Sequence, residues 1–333
     1  MSNFWLIAFI VAIALTFDFV NGFHDAANSL ATVVATRVLT PAKAVALAAF
    51  FNFAAAFFLG TGVAATIGRG FVNTQIITPH VILAGLVGAI AWNLTTWYLK
   101  LPVSSSHALI GGYAGAAIAK AGLGGLVVGK WPSTLAFIVV APIIGLTLGY
   151  TLMIAVYWSF RGFSPARMDR WFRHLQILSA SLLSCAHGTN DAQKSMGIIA
   201  AVLFASGFEE NFHVPGWVIF SCAAAMGLGT LSGGWRVVHT MGTRLTRLRP
   251  RSGFCAETGA AASILFATWL GLPVSTTHVV TGAIAGVGSI QRVRAVRWTV
   301  ATDILVAWIL TIPAAALVAA IAFFVIRIFE PRA

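Results

Sequence analysis

Ten times along its 333 residues the chain runs for close to twenty positions with almost no charge. About twenty apolar residues cross a bilayer as a helix, and lipid offers backbone groups no other partner, so such a chain folds as a bundle of helices. The segments lie at 3–20 with a continuation to 36, then 44–67, 81–99, 103–119, 134–157, 175–206, 216–233, 254–271, 273–290 and 299–326. Hydrophobic residues make up 59% and charged residues 9%, with a mean hydropathy of +0.88, which excludes a water-soluble domain. The expected class is an all-α polytopic protein of the cell (plasma or inner) membrane, with about five plus five spans. The N-terminus, MSNFWLIAFIVAIALTFDF, lacks a basic start and a small-residue cleavage site, so a retained first span is expected.

The net charge of +12 invites a nucleic-acid reading, but the basic residues sit between apolar spans, where they act as topology signals. Placing the basic loop 159–174 in the cytoplasm also puts Arg37, Lys43 and Lys100 inside. For the second half it puts Arg236, Arg244, Arg247, Arg249, Arg251, Arg292, Arg294 and Arg297 inside, with Glu209 and Glu210 outside. The halves then enter from opposite sides, the arrangement of an inverted repeat: 1–158, a linker at 159–174, and 175–333. Cys185, Cys222 and Cys255 have neither the spacing of a disulfide framework nor that of a zinc site.

Two motif pairs speak directly for duplication. GFHDAANS at 22–29 matches GTNDAQKS at 188–195 in four of eight positions, with Asp25 over Asp191. LPVSSSH at 101–107 matches LPVSTTH at 272–278 in five of seven, and glycines follow both at equal spacing, Gly111 with Gly282 and Gly115 with Gly286. Composition bias explains matched alanine and glycine. It does not explain matched Asp, Pro, Ser and His.

These motifs carry the polar chemistry. An aspartate within an apolar stretch is costly and marks ion or substrate pathways, so Asp25 and Asp191 are the first candidates. Their glycine and amide neighbours suggest a helix broken at each motif, freeing backbone groups to bind; the bland alternative is a cap or a pairing with a buried histidine. The second motif places Pro and a hydroxyl cluster where a helix starts, with Ser104, Ser105 and Ser106 in one copy and Ser275, Thr276 and Thr277 in the other. Unsatisfied N–H groups and neutral hydroxyls there suit an oxyanion that must also be released; the alternative is a packing kink. Segments 103–119 and 273–290 are candidate re-entrant hairpins. His24 and His187 could relay protons, whereas His107 and His278 read equally well as structural. Asp18, two turns before Asp25, is either a supporting or a packing group. Glu257 and Asp303 fall near span ends and are expected at the interface. Lys194, in the place of Asn28 of the first repeat, could neutralise a carboxylate or meet substrate oxygens.

GFHDAANS, HGTNDAQKS at 187–195 and the paired PVSSSH and PVSTTH resemble the inorganic phosphate transporter family, in particular its bacterial low-affinity branch, over almost the whole chain. The resemblance implies secondary transport of orthophosphate, an inverted-repeat fold with helical hairpins, a homodimer, and substrate binding by Asp25, Asn28, Asn190, Asp191, Gln193 and the two hydroxyl clusters. The sodium-coupled pattern of the family has Asn before each Asp and Asn three positions after it. Here His24 replaces the first and Lys194 the last, and an ammonium competes with sodium for the same oxygens. Proton coupling through His24, Asp25, His187 and Asp191 is therefore the expectation, with sodium coupling or sulfate transport as alternatives. The branch also implies that a divalent cation can travel with the substrate; no resident metal or cofactor is expected. A channel would keep an open pore, and an intramembrane hydrolase would need a nucleophile with a base, for which the Ser clusters show no order.

Overall fold

Helix starts and stops are written into this chain by Pro, Ser/Thr and left-handed residues. The computed structural model describes residues 2–58, 60–290 and 295–330, and helices dominate throughout. The first half runs α1 (Ser2–Ala35), α2 (Pro41–Ala55), α3 (Gly62–Gly70), α4 (Pro79–Tyr98), α5 (Ser105–Ala121) and α6 (Trp131–Ser159). The second half runs α7 (Pro165–Ala205), α8 (Gly216–Ser232), α9 (Trp235–His239, prolonged by a π turn at Thr240–Arg244), α10 (Pro250–Trp269), α11 (Thr276–Ser289) and α12 (Trp298–Phe329). The order of long and short helices is the same in both. By length and composition α1, α4, α6 and α12 can each cross a membrane, and α8 with α9 and its π turn, bent by 61°, is a broken span or a re-entrant loop. Arg292 and Arg294 lie outside the described residues.

Three expectations need correction. Neither α1 nor α7 is broken at its GxxD motif; both stay helical through 22–29 and 188–195. The polar side chains there find partners on neighbouring helices, so the backbone ladder has no reason to open. Segment 44–67 is instead divided, with α2 ending at Ala55 and α3 beginning at Gly62. Residues 165–174 of the expected linker form the first turns of α7, with Ser164 accepting from the Arg167 N–H as N-cap.

The interruptions fall one step away, just before the hydroxyl clusters. α4 ends with Lys100 at φ 63°, and the Leu101 N–H reaches back to the Thr96 carbonyl. α10 ends in the same way, with Gly271 at φ 68° and the Leu272 N–H on the Ala267 carbonyl. This is the stop in which a left-handed residue closes the last turn. Pro102 and Pro273 then prevent resumption, and Ser104 and Ser275 start the next helix, each accepting from the N–H three residues on, His107 and His278, at 3.2 Å. α11 has 14 residues and so a length of about 21 Å, short of the ~30 Å hydrocarbon core. The pairs α4–α5 and α10–α11 are hairpins.

The halves interlock at these hairpins. α5 packs on α12 and α11 packs on α6, so each hairpin is held by the last helix of the other half. In lipid the gain from such packing is mostly van der Waals contact, which favours small residues at the crossing. A side chain at Gly111 or Gly115 would strike the backbone of Ile312 or Ala316; at Gly282 or Gly286 it would strike Pro142 or Leu146. α6 and α12 are also the most lipid-facing spans, with only 22% of their apolar windows buried. Two apolar clusters fill the interior, one around Phe17, Leu109 and Ile199, the other around Leu30, Leu183 and Val280. The polar motifs of α1 and α7 lie at the level where the clusters meet.

Candidate substrate site

Unbroken helices α1 and α7 bring the two aspartates together. Asp25, His187 and Asp191 each offer a donor atom within 4.8 Å of the others, and all three are buried. Lys194 lies one turn after Asp191, and its Nζ sits 2.5 Å from Asp191 Oδ1. The same ammonium donates to Ser106 Oγ on α5 and, at 3.2 Å, to the Val274 carbonyl before α11. His187 Nε2 is 3.3 Å from Asp191 Oδ2, which also accepts from Thr276 Oγ1 at 3.3 Å. From α1, Asn28 Nδ2 donates to Thr276 Oγ1 at 3.2 Å and to Thr277 Oγ1 at 3.0 Å. Asp25 Oδ1 is 2.7 Å from His24 Nδ1, whose Nε2 is 3.3 Å from Thr96 Oγ1 of α4.

The hydroxyl clusters therefore meet over the aspartates. Within them the roles divide: Ser104 and Ser275 are spent on capping, while Ser106, Thr276 and Thr277 touch Lys194, Asp191 or Asn28. Ser105 Oγ is buried with no partner among the described residues. His107 and His278 face each other, ring centroids 4.9 Å apart, and His278 stacks on Trp308 at 3.7 Å. They pin the two helix starts together and stand outside the network.

Asn190 and Gln193 serve the frame. Asn190 Nδ2 donates to Thr268 Oγ1 at 2.8 Å and to the Leu272 carbonyl at 3.3 Å, tying α7 to the α10–α11 break. Gln193 Oε1 accepts the Val63 and Ala64 N–H groups, at 2.9 and 3.3 Å, and so caps α3. Thr96 and Thr268 were missed from sequence. Each holds the residue before an aspartate, His24 or Asn190, and the signal was available: a Thr-Trp pair precedes both LPVS motifs. Glu257 corrects the interfacial expectation, since it is fully buried and accepts from Gln176 Nε2 at 2.8 Å and from Ser179 Oγ. Gln176 Oε1 in turn accepts from Thr36 Oγ1 at 2.9 Å.

In chemical terms the site offers two carboxylates, one ammonium, two imidazoles and several hydroxyls near positive helix ends. A tetrahedral oxyanion could be met by the ammonium, hydroxyls and N–H groups, and its own protonated oxygens could donate to a carboxylate. The profile described as "Phosphate transporter family" matches residues 21–319. The chain belongs to the phosphate transporter family. It is 55% identical over 322 residues, 96% of each chain, to a probable low-affinity inorganic phosphate transporter of Rhizobium meliloti (strain 1021). It is 46% identical over 96% of each chain to a protein of the same description from Bacillus subtilis (strain 168). Among solved structures, one titled "The sodium-dependent phosphate transporter" superposes with a TM-score of 0.90 over 97% of this chain and 99% of that one, at 24% identity. That likeness shows a shared fold. Members of the family are membrane transporters, so the hydrolase reading falls and a multi-pass place in the cell membrane follows.

Proposed function

We propose that the chain is a secondary symporter that carries orthophosphate with protons, through alternating exposure of the site between two inverted halves, 1–158 and 175–333. The observation that carries this reading is the position of Lys194. Its ammonium joins Asp191 of α7, Ser106 of α5 and the Val274 carbonyl before α11, a fixed positive charge among the oxygens of the site. A fixed charge there leaves little room for sodium.

Electrostatics supports a proton as the moving charge. With neutral imidazoles the site holds two carboxylates against one ammonium, so a dianionic phosphate enters an environment already short of positive charge. Burial in low dielectric forbids that unless protons or a cation come with it. His24 and His187, each beside an aspartate, are placed to take them, while Asp25, Asn28, Ser105, Ser106, Thr276 and Thr277 bind the substrate, with Ser104, Ser275, Asn190 and Gln193 holding the frame around it. A second reading, phosphate travelling as a neutral complex with a divalent cation, is favoured by the close grouping of Asp25, His187 and Asp191. The homodimer implied by family resemblance belongs to the proposal too.

Reconstituted protein tests substrate and coupling together. Labelled phosphate uptake should be competed by unlabelled phosphate and not by sulfate, and Lys194→Asn should alter the coupling ion before it alters substrate preference. Uptake that sulfate competes equally would reject the phosphate assignment for this chain.

A further inference from the structure

Asp18 stands apart from the network just described. It lies on α1 two turns before Asp25, about 10 Å along the axis and on the same face. It is fully buried, and neither carboxyl oxygen has a hydrogen-bond partner among the described residues. Ser195 of α7 and Cys222 of α8 face it, and the charged or titratable groups that reach it are Asp191, Lys194 and the Cys222 thiol. Lys194 is committed to Asp191, Ser106 and Val274. Around Asp18 the oxygens of two more buried side chains, Asn21 Oδ1 and Ser195 Oγ, also lack partners.

A buried structural aspartate is normally hydrogen-bonded or paired, since an ionised carboxylate stripped of water without compensation is prohibitively costly. The Ser195 hydroxyl and the Cys222 thiol beside Asp18 can donate to it but carry no charge that would balance an anion. An enclosed carboxyl with no balancing charge beside it is suited to take up a proton and to release it where water reaches. Its position suits such a role. Asp25 and Asp191 are tied to His24 and to Lys194, and protons placed on them would compete with the contacts that hold substrate. Asp18 can load and unload without disturbing those contacts. α1 and α7 run antiparallel, Thr36 meeting Gln176 near one end, so Asp18 and Glu257 lie on opposite sides of the substrate site along the helix axes.

We propose that Asp18 is the coupling carboxyl of this transporter. The carboxylate takes one proton from water on the side from which phosphate enters, forming an O–H bond, and gives that proton to water on the other side after phosphate has left. This role rests on the proton-coupled reading above.

The test uses the full chain in proteoliposomes. Wild-type protein should accumulate labelled phosphate on an inward proton gradient. Asp18→Asn, which mimics the protonated group, should lose gradient-driven accumulation to the level of empty liposomes yet still exchange internal for external phosphate at equal pH, and Asp18→Glu should restore accumulation. A pH-difference infrared spectrum should show a carboxylic-acid C=O band that disappears in Asp18→Asn. Gradient-driven accumulation by Asp18→Asn at the wild-type level would overturn the assignment and leave proton coupling intact. Sodium-dependent uptake by the wild type that ignores the pH gradient would instead overturn proton coupling itself, and this role with it. Should Asp18→Asn not insert as a folded protein, Asp18→Glu decides by the same spectrum, where an unshifted band would place the titrating carboxyl elsewhere.

Discussion

Single residues divide here into those proposed to meet the substrate and those that hold them. Asp25→Asn and Asp191→Asn should each abolish phosphate uptake at normal surface expression, because each carboxylate is proposed to meet a phosphate hydroxyl. Near-normal transport by either variant would remove it from the centre of the site. Thr276 accepts from Asn28 and donates to Asp191, and Ser105 has no other partner, so Thr276→Ala and Ser105→Ala should weaken phosphate affinity by about 1–3 kcal/mol per lost hydrogen bond. Transport titrations with increasing phosphate read this directly. The sequence made these residues legible because charged groups inside apolar spans are few and costly, and because the hydroxyl clusters recur in paired motifs. It did not show that Asn190 and Gln193 bond to neighbouring helices, since an amide that caps a helix looks the same in one dimension as one that meets an anion. Glu257 misled for a similar reason: proximity to a span end says nothing about which way a carboxylate faces.

Among elements, the hairpins carry the design. Their existence and their start at the LPVS motifs were readable from Pro followed by Ser/Thr, whereas the further breaks expected at the GxxD motifs do not occur. Two signals competed, the polar GxxD motifs and the LPVS motifs, and only the second removes a backbone donor and adds a left-handed stop. Lys100 occupies that left-handed position in the first hairpin where Gly271 occupies it in the second. Lys100→Gly should therefore stabilise the protein by about 1 kcal/mol, and Gly271→Ala should destabilise it by a similar amount. Thermal unfolding in detergent measures both. The exchange of hairpins between halves makes a further demand. Gly115→Leu should cost about 1–3 kcal/mol or prevent assembly, because the added side chain has only the Ala316 backbone to push against. A variant with unchanged stability would mean that α5 and α12 slide apart more easily than their packing implies.

For the molecule as a whole, the governing constraint is charge in a low dielectric. The candidate site has more carboxylates than fixed cations, and the proposed function has positive charge move with the anion that enters it. Lys194 bridges Asp191, Ser106 and the Val274 carbonyl with a fixed charge. The family was visible in the motifs, whereas the way α7, α5 and the start of α11 converge on one ammonium required the structure, because α5 and α11 are brought to α7 by packing on helices of the opposite half. Uptake of labelled phosphate into proteoliposomes under an imposed pH gradient, in sodium-free buffer, tests the claim most directly. The account predicts accumulation that a protonophore abolishes and that sodium does not enhance. Uptake that requires sodium and is indifferent to both the gradient and the protonophore would contradict it.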